Sequence, residues 1–165
     1  MSGRESKTVA ESTVTFVRTM TQMDANLAGN VHGGVIMKEV DSAAGTAAIR
    51  HAGRPCVTAA IDELSFLEPV YVGDILTVTA TVNDVGHTSM EVGVKVEAES
   101  HMGGERRHTT SAYLVMVALD ESGHPTKIPP LVTSTPEEER RRAQARVRRE
   151  IRRERAARVG GAGLD

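Results

Sequence analysis

Asn26-Leu27-Ala28-Gly29-Asn30-Val31-His32-Gly33-Gly34 runs without a break into Val35-Ile36-Met37-Lys38-Glu39-Val40-Asp41-Ser42-Ala43-Ala44-Gly45. A polar, glycine-rich loop thus passes directly into a helix. Met37, Asp41, Ala44 and Ala48 are spaced by four, three and four residues, so they share one helix face. Alanines there allow a sheet to approach closely. A carboxylate among them is costly unless something satisfies it, as a structural hydrogen bond or a functional partner would. Gly33 and Gly34 are read as leaving backbone N–H groups bare at the helix N-terminus, where the dipole favours negative charge. An acid one to two turns beyond such a helix start suits acyl transfer, with the amides as the oxyanion site.

Working outward, Thr13–Met20 is β-branched and predicts a first strand, after a frayed segment over residues 1–11. The helix is predicted from about His32 to about Ala52, with Gly53 as its stop. Cys56–Phe66 reads as a second strand and Glu68–Asp74 as a connector. Ile75–Val82 and Met90–Glu97 alternate cleanly, the charges of the latter facing outward, and form a long hairpin around Gly86-His87. Met102-Gly103-Gly104-Glu105 turns the chain into a fifth strand over Thr109–Leu119. The expected class is α+β, an antiparallel five-stranded sheet with the long helix on one face.

Beyond Asp120 the composition changes. Ile128-Pro129-Pro130-Leu131 is extended. Thr135, Pro136 and Glu138 mark a helix start: N-cap, first helical position and capping box. Between Pro136 and Arg158 ten arginines face five glutamates, giving this segment +5 and the remainder of the chain −7. The segment reads chiefly as a solvated surface helix with Glu137–Arg141 and Glu138–Arg142 pairs, the other reading being a basic arm for nucleic acid or CoA phosphates. Gly160-Gly161-Ala162-Gly163 is expected to be disordered. The expected organisation is a flexible segment 1–11, one domain over 12–135, and a charged helix with tail over 136–165.

Composition narrows the functional classes. The net charge is −2 and aromatic residues are 2% of the chain, so neither a global field nor stacking platforms favour nucleic acid. Cys56 is the only cysteine, which excludes an intrachain disulfide and a paired-cysteine metal site and fits a reducing compartment. It is expected to be a small buried hydrophobe. The polar start of the chain is unlike a signal peptide, and no apolar run could span a bilayer. A cytoplasmic location is therefore expected. The histidines show no metal-ligand spacing, and nucleophile-elbow, phosphate-loop and dinucleotide motifs are missing. No metal or cofactor is expected. Asn26, the glycine helix start and Asp41 remain, a set able to polarise a carbonyl and activate water, while His32 reads as a loop-ordering residue.

Asp24–Met37 with Asp41 resembles the hotdog-fold acyl-CoA thioesterases, in particular the cytosolic (brain-type) acyl-CoA hydrolase family and its bacterial relatives. The likeness continues through Phe66–Asp74, Gly86-His87-Thr88-Ser89, Leu119-Asp120 with Pro129-Pro130-Leu131, and the helix from Pro136; it covers roughly residues 12–150. The resemblance implies a sheet wrapped around the long helix, hydrolysis of acyl-CoA to free CoA and a carboxylic acid, and active sites shared between two hotdogs. It implies homo-oligomers, specifically hexamers built as trimers of dimers. Asp41 would be general base or nucleophile, with Asn26, Gly33 and Gly34 completing the catalytic set. His32, Arg54, Ser65, Phe66, Thr88 and Ser89 would contact substrate, whose CoA moiety is the only coenzyme implied. A non-hydrolysing acyl-CoA sensor on the same fold is the alternative.

Overall fold

The computed structural model describes residues 5–160. Its elements in chain order are β1 (Lys7–Thr8), α1 (Val9–Ser12), β2 (Val14–Thr19), a 3-10 turn at Gln22–Asp24, α2 (Gly33–Ala52), β3 (Cys56–Phe66), β4 (Asp74–Val85), β5 (Ser89–Ser100), β6 (Arg107–Ala118), β7 (Leu131–Val132) and α3 (Pro136–Val159). Five strands form one antiparallel sheet in the order β2-β4-β5-β6-β3. The hotdog architecture expected from the sequence is the architecture found.

α2 lies along one face of that sheet. Its buried side, Ile36, Val40, Ala43, Ala44, Ala47 and Ala48, meets Leu76, Val78, Val92, Leu114 and Met116 from the strands. The small alanines let the helix seat close to the sheet, where close-packed contact replaces water. Gly53 ends the helix in the left-handed conformation, φ 65°, and its N–H donates to Ile49 O. That geometry is costly for a residue bearing a Cβ, which explains the glycine stop.

The sequence stripe Met37, Asp41, Ala44, Ala48 is one helix face, as read, but it is not uniformly apolar in its surroundings. Ala44 and Ala48 are buried, whereas Met37 and Asp41 are exposed. The helix therefore dips into the core toward its C-terminal half and leaves the face of its first half open.

The lead-in expected to be frayed over residues 1–11 is structured where described. β1 pairs in parallel with β7, Thr8 caps α1 through a capping box with Glu11, and Val9 joins the core. Lys7 Nζ donates to the Arg50 carbonyl at 2.5 Å, where a cation satisfies a free carbonyl at the end of α2. Residues 1–4 and 161–165 lie outside the described residues, and with them most of the glycine-rich tail.

α3 differs in part from the sequence expectation. Its start is as read: Thr135 and Glu138 form the capping box and Pro136 opens the helix. The Glu137–Arg141 pair forms, at 3.0 Å, but the Glu138–Arg142 pair does not, because Glu138 is spent on the cap. Nor is the helix simply solvated. It lies across the outer face of the sheet, and its arginines reach three carboxylates there. Arg142, Arg146 and Arg149 converge on Asp84, 1% exposed, at 3.4, 3.6 and 2.9 Å. Arg148 grips Glu91 with two contacts, 2.7 and 3.0 Å, and its guanidinium sits 3.7 Å from the Tyr113 ring centre. Arg152 pairs with Asp62. Strand register puts Asp84 opposite Glu91, Glu91 opposite Val115 and Val115 opposite Ala60, two residues before Asp62, so the three acids lie near one line across the sheet on β4, β5 and β3. Glu91, read as an outward charge, is thus outward but covered by α3.

Candidate active site

The loop before α2 is held by its own polar groups. Asn26 Oδ1 accepts from the N–H of Ala28 at 2.9 Å and of Asn30 at 3.1 Å, an Asx-type turn that Gly29 completes with φ 84°. Buried Asp24 accepts from Thr21 N–H and from Arg18, both of which hold its carboxyl below the usual carboxylate range. Arg18 also reaches Glu39 on α2 at 2.6 Å, tying loop to helix. Because Asn26 spends its side-chain oxygen on the turn, its amide NH2 is the donor left over toward the adjoining crevice.

The start of α2 differs from the sequence expectation at Gly34. Gly34 N–H is not bare: His32, the N-cap, accepts it through Nδ1 at 2.9 Å. The loop-ordering role expected of His32 is the contact observed. Gly33 N–H is the donor without a hydrogen-bond partner among the described residues, at the positive end of a 20-residue helix. The Phe66 ring lies against Gly33, so that a methyl added there would come within 3.4 Å of it.

Asp41 faces out from α2 and accepts from Thr58 Oγ1 on β3 at 2.6 Å, a short charge-assisted hydrogen bond that fixes one carboxylate oxygen. Thr58 Oγ1 also lies 3.5 Å from Met116 Sδ. Thr58 carried no local signal in the sequence; its partner is seventeen residues away on another element, and only the packing of β3 beside α2 reveals the pair.

The structure therefore gathers the expected residues into two groups within one chain. Asn26, His32, Gly33 and Phe66 surround the helix start, and Asp41 with Thr58 sits eight residues further along α2, a rise of about 12 Å. The remaining expected residues lie elsewhere. Ser65 donates to Glu63 beside the groove under α3. Thr88 and Ser89 form the β4–β5 turn, where Ala118 N–H donates to Thr88 O and Gly86 N–H to Ser89 O. Arg54 borders a cleft with Pro55, Leu119 and Asp120 at the far end of α2. Its Nε is buried without a hydrogen-bond partner among the described residues. Cys56 is half-buried rather than fully buried, and burial pushes its thiol up to about 11, out of reach of nucleophile chemistry at neutral pH.

Residues 28–105 match the Thioesterase superfamily. YkhA of Bacillus subtilis, named an uncharacterized acyl-CoA thioester hydrolase, is 37% identical over 134 residues, spanning 81% of this chain and 78% of its own length. A hexameric acyl-CoA thioesterase, solved in the apo form, superimposes with a TM-score of 0.89 at 38% identity over 93% of this chain and 98% of the other. An acyl-CoA hydrolase of Staphylococcus aureus, solved with butyryl-CoA, CoA and CoA disulfide, gives a TM-score of 0.87 at 32% identity, covering 93% and 94%. Alanine variants of that enzyme have been solved at an asparagine, an aspartate fifteen residues later and a threonine seventeen beyond it. Each is 31% identical to this chain, with TM-scores of 0.86 to 0.89 and at least 93% of both chains covered. Asn26, Asp41 and Thr58 repeat those residue types at those spacings. The chain belongs to the hotdog-fold acyl-CoA thioester hydrolases.

Proposed function

We propose that this protein hydrolyses acyl-CoA thioesters at a site completed by two copies of the chain. The observation that carries the reading is the separation just described: donor and carboxylate stand about 12 Å apart on one helix, too far to act on one carbonyl. Gly34 and Asp41 are seven residues apart and share a face, and that face is open at its N-terminal half. Two α2 helices packed antiparallel about a two-fold axis would bring Asp41 of one copy to the helix start of the other, twice over. β3, the edge strand beside Asp41, offers an unpaired backbone for such a contact.

In this arrangement Gly33 N–H and the Asn26 amide donate to the thioester carbonyl, where negative charge develops. Asp41, oriented by Thr58, takes a proton from water, whose oxygen attacks the carbonyl carbon; the C–S bond breaks, and CoA leaves as the thiol once protonated. Direct attack by Asp41 to give a mixed anhydride, then hydrolysed, uses the same geometry. His32 keeps the helix start in place. Arg54, beside the cleft at the C-terminal end of α2, is assigned with Thr88 and Ser89 to the CoA nucleotide. The same reading carries a cytoplasmic location and a hexamer, the hexameric relative supporting the latter, and we assign its arrangement as a trimer of dimers. Among the described residues no helix is long and apolar enough to cross a membrane.

Thiol release from acyl-CoA is the test. Asp41→Asn should lower turnover by orders of magnitude while the chain folds and binds acyl-CoA. Wild-type protein that binds acyl-CoA without releasing thiol would make it a sensor instead.

A further inference from the structure

β3 does not alternate regularly. Thr58, Ile61 and Leu64 stand three residues apart, yet they lie opposite Met116, Leu114 and Ala112, which are two apart on β6. Ala59 and Asp62 are the extra residues, each bulging out of a strand that otherwise pairs in order. Met116, Leu114 and Ala112 belong to the core that α2 covers, so the two bulges bring Thr58 to the face on which it meets Asp41. We propose that Asp62, held outward by Arg152 of α3, sets the register of β3, which makes both of them positioning residues for Thr58 and Asp41. This rests on the thioesterase reading and gives the C-terminal helix a part in the reaction.

Two other registers are open to the strand. With Asp62 paired to Leu114, Ile61 falls opposite Val115 and Ala60 opposite Met116; if the bulge at Ala59 is kept, Thr58 then meets Val117 and turns to the outer face. With neither bulge Thr58 meets Ala118, two residues or about 7 Å further along β6. Either way its hydroxyl leaves Asp41, to which it donates at 2.6 Å, and Met116 Sδ, 3.5 Å away.

The charge of Asp62 selects among these registers. Pairing with Leu114 would aim the carboxylate into the core beside a fully buried leucine, where an unpaired charge is costly. In the bulge it points to the outer face instead and pairs with Arg152, each side chain being 15% exposed. Little else specifies the register, because none of the eleven residues of β3 is buried in the single chain. A second copy pairing along this edge would supply main-chain bonds, which recur along the strand and so do not choose the register. The Asp62–Arg152 contact lies on the outer face, clear of that edge. Asp62 is only four residues from Thr58, so a slip at one is carried to the other.

The test uses the full-length oligomer, assayed below the Tm of each variant, with kcat and KM from acyl-CoA thiol release. Asp62→Val removes both the cost of facing the core and the pairing with Arg152. Misplacement by about 1 Å can cost about 100-fold, so kcat should fall about 10- to 100-fold with KM within about twofold of wild type. In a Thr58→Val background the same change should lower kcat by less than about twofold more, whereas a loss unrelated to Thr58 would recur in full. A crystal structure of Asp62→Val should show Thr58 no longer opposite Met116. A kcat within about twofold of wild type, a full further loss on Thr58→Val, or Thr58 still opposite Met116 would each overturn the proposal. Should Asp62→Val fail to fold, Arg152→Gln, with an expected fall in kcat of about fivefold, decides by the same readouts. A shifted register in a protein whose wild type releases no thiol would sink the thioesterase reading and leave the register assignment standing.

Discussion

Replacing Asp84 with asparagine tests the role found for the C-terminal helix. The carboxylate is 1% exposed and lies within 3.6 Å of Arg142, Arg146 and Arg149. Neutralising it leaves three guanidiniums around a buried amide that can accept only one or two of their protons. Removing one partner of a buried ion pair costs about 3–5 kcal/mol. Arg146 is 60% exposed and can turn to water, so we take about 2–4 kcal/mol here. For a domain of this size about 2–4 °C are lost per kcal/mol, giving a fall in Tm of roughly 4–16 °C. The assay is thermal unfolding by circular dichroism at fixed protein concentration and ionic strength, with Arg140→Gln as control. Arg140 pairs with Glu137 on the solvent side of α3 and its loss should leave Tm unchanged. A fall of less than about 2 °C in Asp84→Asn would refute the claim that these arginines fasten the helix to the sheet.

Thr58→Val removes the hydroxyl that holds Asp41 but keeps the shape. Loss of a hydrogen bond to a charged group, about 1.5–3 kcal/mol, predicts a drop in kcat/KM of about 10- to 100-fold, with Thr58→Ser close to wild type. Met37, midway between Gly33 and Asp41 and 41% exposed, would face its own copy across the two-fold axis. Met37→Arg should therefore split the dimer and abolish turnover, as read by light scattering; an intact, active oligomer would contradict the antiparallel packing. His51 is fully buried, with Nε2 3.0 Å from the Pro129 carbonyl and Nδ1 without a hydrogen-bond partner among the described residues, and burial holds its pKa below the ordinary 6.5. Below pH 6.5 the unfolded chain takes up this proton and the folded one resists it, so stability declines from pH 6.5 down to the lowered folded value. His51→Gln should flatten that part of the Tm-against-pH curve, and an unchanged slope would remove His51 as its source.

Much of the fold could be read from local pattern. Glycine at positions 33, 34 and 53 bounded α2, alternation marked the β4–β5 hairpin, and the capping box placed the start of α3 to the residue. What could not be read depends on partners distant in sequence. β1 is two residues long and exists because Leu131 and Val132 lie beside it. Asp62, Asp84 and Glu91 look like solvated charges until α3 covers them. Asp41 was legible as an unusual acid, but Thr58, which fixes it, was not. Gly34 looked like an open donor because the His32 ring could not be placed from sequence.

Asn26→Asp keeps the oxygen that forms the turn and removes the NH2 donor, while Asp41→Asn removes the carboxylate, so each variant alone should fold and be inactive. Mixed after dissociation and reassembled, they should regain about a quarter of wild-type thiol release. Half of the dimers are then hybrids, each with one intact site taking Asn26 from one copy and Asp41 from the other. No recovery, with hybrid formation shown by mass spectrometry, would contradict a site shared between two copies.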